Sequence, residues 1–385
     1  MDILCFSSSD WHGKWGSRQQ VMMRLAPING VLYIERQAGL EHFWKYPDLR
    51  SRRLRRWREG MREIRENLWI ISPPPLLPGR YYSLTINRLN QQILRAWVAP
   101  FVQRLGFEHP ILWLYKPEQY SLIGKLDERL VVYHCIDEFA AGTQGRKRRI
   151  IETQEAELIH RADILFANSR LTYEKKRQLN PNTYRISSGA DVQHFMQAAD
   201  PTTEVHPDVA SLPHPVLAFV GTIDERIDLT LLADLAEARP NWSIALIGQA
   251  YPQATDLKPL RQCRNVHWLG KRPFEVLPSL LRGVDVCLLL YIEGEATRYR
   301  SPLKLYEYLA TGKPVVSTDH PEVREFSDLV AIVTTSEQFL SAVEHALDDT
   351  RPEDQERRLT VARQHSWDAR VAKMSAIMLK HLGRR

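Results

Sequence analysis

The chain has 385 residues, too many for one ordinary compact core and suited to two α/β domains of similar size. Hydrophobic residues make up 44% and charged residues 25%, close to the soluble average, which excludes disordered and fibrous proteins. No apolar run approaches the roughly 20 residues of a membrane-spanning helix. The 4 cysteines form no CxxC pair, so we expect buried thiols in a cytoplasmic protein rather than disulfides or zinc ligands.

The excess of positive charge, +6 overall, is densest from Arg50 to Arg65. In this segment Leu54, Trp57 and Ile64 fall on one stripe of a predicted helix, and arginines flank the stripe. That pattern is typical of a helix lying on an anionic membrane surface. A solvated helix that packs on its own domain through Trp57 and Ile64 fits equally well.

Short β-rich runs alternate with segments of helical character, which predicts two doubly wound parallel sheets. The first series is Ile3–Phe6, Val31–Ile34, Leu68–Ile71, Ile111–Leu114, Leu130–Tyr133, Ile164–Ala167 and Thr183–Ile186. The second is Val216–Val220, Ser243–Ile247, Asn265–Trp268, Val286–Leu290, Pro314–Ser317 and Val330–Val333. We predict an N-terminal domain over 1–198, a C-terminal domain over 199–366, and a helix in 367–385 that packs back on the N-terminal domain. A hinge is expected near 196–214.

Three glycines of the second series follow directly after, or close behind, predicted strands: Gly221, Gly248 and Gly270. Ligands of open α/β sheets bind beyond the carboxyl ends of the strands, where glycine lets the backbone approach a phosphate. Each glycine alone is also a common turn residue. Together they favour a ligand-binding rim in the C-terminal domain.

The segment Tyr299 to Thr318 predicts a helix that Ser301 caps and Pro302 opens, with its N-terminus at this rim. Lys304 lies in the first turn, where a cation is locally unfavourable unless an anion is bound nearby. Glu307, one turn later, can accept hydrogen bonds from a ribose diol. A solvent-exposed ion pair between Lys304 and Glu307 is the alternative.

This segment resembles the signature of GT-B glycosyltransferases of the group 1 superfamily. Their proline-started helix, ribose glutamate and Ala-x-Gly-x-Pro-Val run are matched by Pro302, Glu307, Ala310, Gly312, Pro314 and Val315. Three further segments resemble those of the family in order and spacing: RISSGADVQHF at 185–195, FVGTIDERIDLTLL at 219–232 and NVHWLG at 265–270. The Ser-Pro-x-Lys-x-x-Glu form is most like bacterial polysaccharide and teichuronic-acid-type sugar transferases. The resemblance implies two Rossmann-like domains facing across a cleft.

Two positions depart from the family pattern. Tyr299 stands where many retaining members carry a second glutamate, and Thr222 stands where an arginine usually clamps the diphosphate, with Arg226 the nearest cation. The resemblance implies a donor site for a UDP-sugar, with a GDP-sugar less expected, and no metal or cofactor. Its residues would be Gly221, Thr222, Arg226, Gly248, Gly270, Tyr299, Ser301, Pro302, Leu303, Lys304 and Glu307.

Candidate catalytic residues lie in the N-terminal half. Asp10 and His12 belong to a glycine-containing loop after the first strand, and Asp137 follows Leu130–Tyr133. In an inverting transfer one carboxylate accepts the proton of the acceptor hydroxyl, and Asp137 is the candidate base. The alternatives are a surface histidine at position 12 and a helix-capping aspartate at position 137.

The expected function is transfer of a hexosyl or uronosyl group to a saccharide or lipid-linked acceptor in cell-surface polysaccharide synthesis. A lipid-linked acceptor would make Arg50 to Arg65 a peripheral membrane contact at the inner face of the plasma membrane. A catalytically degenerate nucleotide-sugar-binding protein and a GT-B-type epimerase are the alternatives. Nucleic-acid binding is not expected, because most of the chain is explained without it.

Overall fold

A computed structural model of the chain describes residues 1–13, 15–41, 47–349 and 351–383. The chain divides into two compact units. The N-terminal unit comprises residues 1–187 and 371–385, and the C-terminal unit comprises residues 188–370. Residues 188–198, assigned to the N-terminal domain in the sequence analysis, therefore group with the C-terminal unit.

The N-terminal unit is built on a mainly parallel sheet. Its strands are β1 (Asp2–Phe6), β2 (Gly30–Ile34), β3 (Arg62–Arg65), β4 (Leu68–Ile71), β5 (Ile111–Leu114), β6 (Leu130–Cys135), β7 (Ile164–Ala167) and β8 (Thr183–Arg185). Their order in the described residues is β3-β4-β2-β1-β5-β6-β7-β8, and only β3 and β4 pair antiparallel. The order reverses between β1 and β5, the position at which open α/β sheets bind ligands.

Helices cover this sheet. They are α1 (Ser17–Leu25), α2 (Pro47–Glu59), α3 (Leu84–Leu105), α4 (Gly145–Arg161) and α5 (Arg170–Lys176). Leu94 and Val98 of α3 and Leu158 of α4 are fully buried against the strands in one apolar cluster. Burial of these apolar stripes stabilises both helices, because packing contributes more than intrinsic helix propensity.

The C-terminal unit contains a second parallel sheet. Its strands are β9 (Val216–Val220), β10 (Ser243–Ile247), β11 (Val266–Trp268), β12 (Val286–Leu289), β13 (Val315–Thr318) and β14 (Val330–Val333). Their order in the described residues is β11-β10-β9-β12-β13-β14, and every neighbouring pair is parallel. The prediction of two doubly wound parallel sheets is confirmed.

The remaining helices are α6 (Val192–Met196), α7 (Pro207–Ala210), α8 (Leu229–Ala238), α9 (Lys258–Gln262), α10 (Leu277–Arg282), α11 (Glu295–Arg298), α12 (Leu303–Leu309), α13 (Ser336–Asp348), α14 (Pro352–Gln364) and α15 (Trp367–Leu382). Buried apolar clusters lie on both faces of the C-terminal sheet. The expected amphipathic helix is present as α15, with Val371, Met374 and Met378 buried.

The prediction of one basic helix over Arg50 to Arg65 is wrong. α2 ends at Glu59, and Gly60 adopts a φ of +69°, a left-handed conformation that ends helices. The residues after this turn form β3, which pairs antiparallel with β4. Ile64 therefore leaves the helical stripe and is exposed on an edge strand.

The four thiols are free. Cys5, Cys135 and Cys287 are buried and Cys263 is half-buried, as the sequence predicts. Burial raises the pKa of each thiol, to about 12 for Cys135 and Cys287. Within the described ranges, no helix has both the length and the apolar character needed to cross a membrane.

His134 of β6 is a buried histidine inside an aromatic cluster. Its ring centroid lies 5.7 Å from that of Trp113, 5.0 Å from that of Tyr115 and 6.1 Å from that of Phe166. Its Nδ1 has no hydrogen-bond partner. Burial, with a smaller contribution from the charge of Arg18, lowers the pKa of His134 to about 3. The ring is therefore neutral in the folded protein at physiological pH.

A neutral buried histidine makes the N-terminal unit acid-sensitive. Between pH 6.5 and about 3 the unfolded chain binds a proton at His134 that the folded chain does not, so stability falls as pH falls through that window. His134→Phe should remove up to about 1.4 kcal/mol of this loss per pH unit. Urea unfolding at pH 7.5, 6 and 5 measures it, and the exposed His160→Gln should keep the original pH dependence. Parallel pH profiles for His134→Phe and the unchanged protein would contradict the assignment.

Candidate functional site

Close backbone packing shapes the carboxyl edge of the C-terminal sheet. Beyond β9 and β10 the chains stay paired, through Gly221 N to Ile247 O at 3.0 Å and Ile223 N to Gln249 O at 3.0 Å. A Cβ at Gly248 would lie 1.6 Å from Gly221 O. Position 248 therefore requires glycine because a side chain would collide with the backbone of Gly221. Position 270 favours glycine for a different reason, since its φ of +68° lies in the left-handed region.

The helix α12 is tied to the end of β9. Val220 N donates a hydrogen bond to the Tyr308 hydroxyl over 2.7 Å, and Tyr308 is fully buried. This contact brings the helix that carries Lys304 and Glu307 to the carboxyl edge beside Gly221. The contact is made by Tyr308 near the end of the helix, so the predicted position of its N-terminus at the rim stays a prediction.

Lys304 and Glu307 form an ion pair within α12. Glu307 is only 4% exposed, whereas the Lys304 side chain is 21% exposed. The alternative of a fully exposed pair therefore does not apply. A buried carboxylate one turn into the helix is thus held in place by its ion pair with Lys304.

The predicted cap of this helix is wrong. Pro302 occupies the capping position without a side-chain hydrogen bond, and the helix begins at Leu303. The Ser301 hydroxyl instead accepts a hydrogen bond from Ser188 N over 3.0 Å, and the Ser188 hydroxyl donates to Ser301 O over 3.1 Å. Ser301 is buried, so it fixes the loop before α12 within the C-terminal unit.

Arg226 is held by a bidentate contact to Asp224. These hydrogen bonds raise the pKa of Arg226, so the guanidinium stays charged. Asp224 is buried, while the Arg226 side chain keeps 28% of its surface exposed. Thr222, two residues before Asp224, is half-buried in the same turn after β9.

Tyr291 and Arg300 belong to the same charged region, although the sequence analysis does not single them out. Burial raises the pKa of the Tyr291 hydroxyl, and the charges of Arg226, Arg300, Glu307 and Asp224 also act on it. Arg300, directly after Tyr299 in the chain, is thus a second arginine close enough to act on this hydroxyl. The sequence signal that could have indicated Arg300 is its position directly before the Ser-Pro-x-Lys motif.

Asp10 lies in a charge cluster of the N-terminal unit. Its Oδ1 accepts a hydrogen bond from Arg53 Nη2 at 2.5 Å, and its Oδ2 lies 3.9 Å from Arg56 Nη1. Arg56 Nη1 also lies 3.9 Å from Oε1 of the buried Glu35. Two arginines of α2 thus contact carboxylates of their own unit. His12 is exposed on the same loop.

The charges around His12 favour its neutral form. Partial burial lowers the pKa of His12, and the nearby charges of Arg62 and Arg56 lower it further against an opposing contribution from Glu35. A neutral imidazole can accept a proton. His12 therefore has the protonation state that a general base needs, and its exposed position agrees with the surface alternative as well.

Asp137 is not a helix cap. It lies in a bend after β6, and the next helix, α4, begins at Gly145 after Gln144. Arg18 Nη2 lies 3.5 Å from Asp137 Oδ2, and Arg18 Nε donates to the Ser8 hydroxyl. Arg18 thereby connects the loop after β1, which carries Asp10 and His12, with the loop after β6. The three candidate catalytic residues lie on these two loops of one sheet edge.

Solved structures with the same architecture are glycosyltransferases of GT-B fold. The chain is similar to sucrose-phosphate synthase from Thermosynechococcus elongatus, with a TM-score of 0.72, 15% identity and 100% coverage of both chains. It is also similar to Anabaena Alr3699/HepE in complex with UDP, with a TM-score of 0.66, 16% identity and coverage of 98% of this chain and 99% of that chain. The fold is therefore GT-B.

The sequence is similar to glycosyltransferases as well. Residues 214–349 match the family described as glycosyl transferases group 1. The chain is 23% identical over 369 residues to TuaH of Bacillus subtilis (strain 168), described as a proposed teichuronic acid biosynthesis glycosyltransferase, with coverage of 84% of this chain and 92% of that protein. Together with the fold, these matches support a glycosyltransferase whose residues 214–349 match the group 1 family.

The contact between the turns after β9 and β10 predicts the effect of one added methyl group. Gly248→Ala places a Cβ against Gly221 O and must separate the two turns, so it should destabilise the C-terminal unit by about 1–3 kcal/mol. Denaturant unfolding measures the loss. Gly16→Ala is the control, because its backbone is extended and nothing lies within 4 Å of its Cβ. Equal stability of the two variants would mean that the close approach is absent.

Proposed function

We propose that this glycosyltransferase takes a hexosyl or uronosyl group from a UDP-sugar held by the C-terminal unit. The observation that carries the proposal is the buried Glu307 paired with Lys304 at the glycine rim of that sheet. A carboxylate suits a ribose diol, and glycines and cations suit a diphosphate. The neighbour Alr3699/HepE was solved with UDP, which supports a uridine donor.

The leaving diphosphate gains negative charge as the bond to the sugar breaks. Lys304, Arg226 and Arg300 are the cations that would stabilise that charge, assisted by backbone N–H groups of the turn at Gly221 and Thr222. Lys304 and Arg226 are each paired with a carboxylate of their own unit. Donor binding then exchanges or shares these partners, and no metal ion or further cofactor is included in the proposal.

We assign the acceptor to the N-terminal unit, with Asp137 as the general base. The carboxylate would take the proton of the acceptor hydroxyl as that oxygen bonds to the sugar and UDP departs. Arg18 positions Asp137, and Asp10 and His12 are the next candidates on the adjoining loop. The histidine would have to be neutral to serve, which its lowered pKa favours.

The proposed acceptor is a saccharide or a lipid-linked saccharide of a cell-surface polysaccharide, in line with the name of the Bacillus relative. Arg53 and Arg56 of α2 contact Asp10 and are not available to a membrane. Arg52, Arg55 and Arg58 are exposed on the same helix. These three arginines are the proposed contact with an anionic cytoplasmic leaflet, each contributing about 1 kcal/mol near the surface.

One observation favours a second candidate, a nucleotide-sugar-binding protein without transfer activity. Tyr299 lies eight residues before Glu307, at the position where many retaining relatives carry a second glutamate. Release of UDP from a UDP-sugar with a transferred product supports the transferase. Tight UDP binding with no turnover in the presence of saccharide acceptors supports the binding protein.

Replacing Glu307 tests the ribose contact. Glu307→Ala should weaken UDP binding by about 1–3 kcal/mol, because the ribose hydroxyls lose an ionised acceptor. The variant should also lose the preference of the unchanged protein for UDP over 2′-deoxy-UDP. Isothermal titration calorimetry measures both quantities, with the exposed Glu337→Gln of the same unit as control. Unaltered UDP affinity in folded Glu307→Ala would remove this role.

Replacing Asp137 tests the proposed base. Asp137→Asn should reduce transfer by a factor of about 100 or more while UDP affinity stays unchanged, because only proton acceptance is lost. Initial rates of UDP release with acceptor, paired with UDP titrations, separate the two effects. Asp127→Asn is the matched control, since Asp127 is 80% exposed and asparagine tolerates its positive φ. Near-normal turnover would transfer the assignment to Asp10 or His12.

A further inference from the structure

A compact group of cations lies at the carboxyl edge of the N-terminal sheet, apart from the Asp10 and Asp137 contacts. Lys116 follows β5, and its Nζ lies 3.0 Å from the Tyr81 hydroxyl and 3.3 Å from Glu118 Oε1. Arg80 Nε lies 3.7 Å from the same carboxylate oxygen. The Tyr81 ring is approached by Arg80 Cζ at 4.8 Å, Lys116 Nζ at 5.7 Å and Lys147 Nζ at 5.8 Å. We call Arg80, Tyr81, Lys116 and Lys147 the Tyr81 cluster.

The charges of this cluster do not balance. Arg80, Lys116 and Lys147 contribute three positive charges, and Glu118 is the carboxylate in contact with two of them. Glu41 also acts electrostatically on Arg80, so in the described part of the chain these three cations face two carboxylates, an excess of one positive charge. Holding three cations around one ring is costly unless a further anion neutralises them.

Two residues of this region carry buried donor groups without a hydrogen-bond acceptor. Arg80 has 3% of its surface exposed, and its Nε and Nη1 make no hydrogen bond. Gln119 is fully buried, its Oε1 accepts hydrogen bonds from Tyr115 N and Lys116 N, and its Nε2 has no partner. Buried donors are almost always satisfied in folded proteins, so unpaired ones point to a missing acceptor.

The start of α4 adds an independent feature. This helix of 17 residues opens with Gly145-Arg146-Lys147-Arg148-Arg149, has no acidic residue in its first turn, and has no side-chain cap at Gln144. Cations at a helix N-terminus oppose the helix dipole, whereas an anion there accepts the free N–H groups. Lys147 joins this helix start to the Tyr81 cluster.

We propose that the Tyr81 cluster binds an anionic group, phosphate or carboxylate, carried by the acceptor, so that this enzyme glycosylates an acidic rather than a neutral acceptor. The inference rests on the proposed assignment of the acceptor to the N-terminal unit. Arg80 and Lys116 would supply charge-assisted hydrogen bonds, Lys147 and the start of α4 would complete the neutralisation, and the Tyr81 ring would contact the apolar face of the sugar.

The test uses the full chain saturated with UDP, so that phosphate probes cannot occupy the donor site. The probes are glucose 1-phosphate, methyl glucuronide and methyl glucoside, followed by ligand-observed NMR titration. We expect at least one of the two anionic probes to bind while the neutral glucoside does not. Binding of the phosphate alone, or of the glucuronide alone, identifies which anion the acceptor carries.

Lys147→Gln should weaken binding of the anionic probe about tenfold, the contribution expected from one charge-assisted hydrogen bond. Lys147→Arg should retain most of the affinity. Arg149→Gln is the matched control, because it removes the same charge from the same helix start at an exposed position. Absence of binding by both anions, or an equal loss in Lys147→Gln and Arg149→Gln, would overturn the proposal. UDP titration of each variant keeps the two hypotheses separate, since failure to bind UDP would contradict the donor assignment instead.

Discussion

The hydrogen bond from Val220 N to the Tyr308 hydroxyl is the constraint on which the donor site depends. It joins the last residue of β9 to the helix that carries Lys304 and Glu307. Both partners are buried, so breaking the contact would leave an unpaired amide in the core. A helix anchored in this way presents the same two side chains to the same edge of the sheet. Positioning by a main-chain group also means that the contact survives substitutions of the Val220 side chain.

The charged side chains of the candidate donor and acceptor residues form ion pairs within their own units. Glu307 neutralises Lys304, Asp224 neutralises Arg226, and in the other unit Arg18 and Arg53 neutralise Asp137 and Asp10. Buried charges require partners, because an isolated ion in a low-dielectric interior is costly. Phosphate and hydroxyl groups of the substrates would then replace side-chain partners in existing ion pairs rather than bind to unpaired charges. The Tyr81 cluster differs, since its cations outnumber the carboxylates around it.

Strand and helix positions were accessible from the sequence because apolar runs and strand-ending glycines are local signals. The sequence placed β9, β10 and α15 correctly, and Gly221, Gly248 and Gly270 led to the proposal of a ligand-binding rim. The break at Gly60 was missed, because a continuous arginine pattern hid the pairing of β3 with β4. Ser301 was read as a cap, since its contact with Ser188 lies 113 residues away and leaves no local signal. Arg300 was missed although its position directly before Ser-Pro-x-Lys was a signal, whereas nothing in the sequence singled out Tyr291.

The edge strand β3 has a consequence for the solution behaviour of the protein. Its exposed residues Glu63 and Arg65 border the open side of the N-terminal sheet, where unpaired main-chain groups would otherwise accept a strand from another molecule. Charged side chains and the irregular register between Glu63 and Arg65 make such addition unfavourable. The short strand thus protects the sheet against intermolecular β-pairing, and replacing its charges by valine or threonine would turn that border into a template for aggregation.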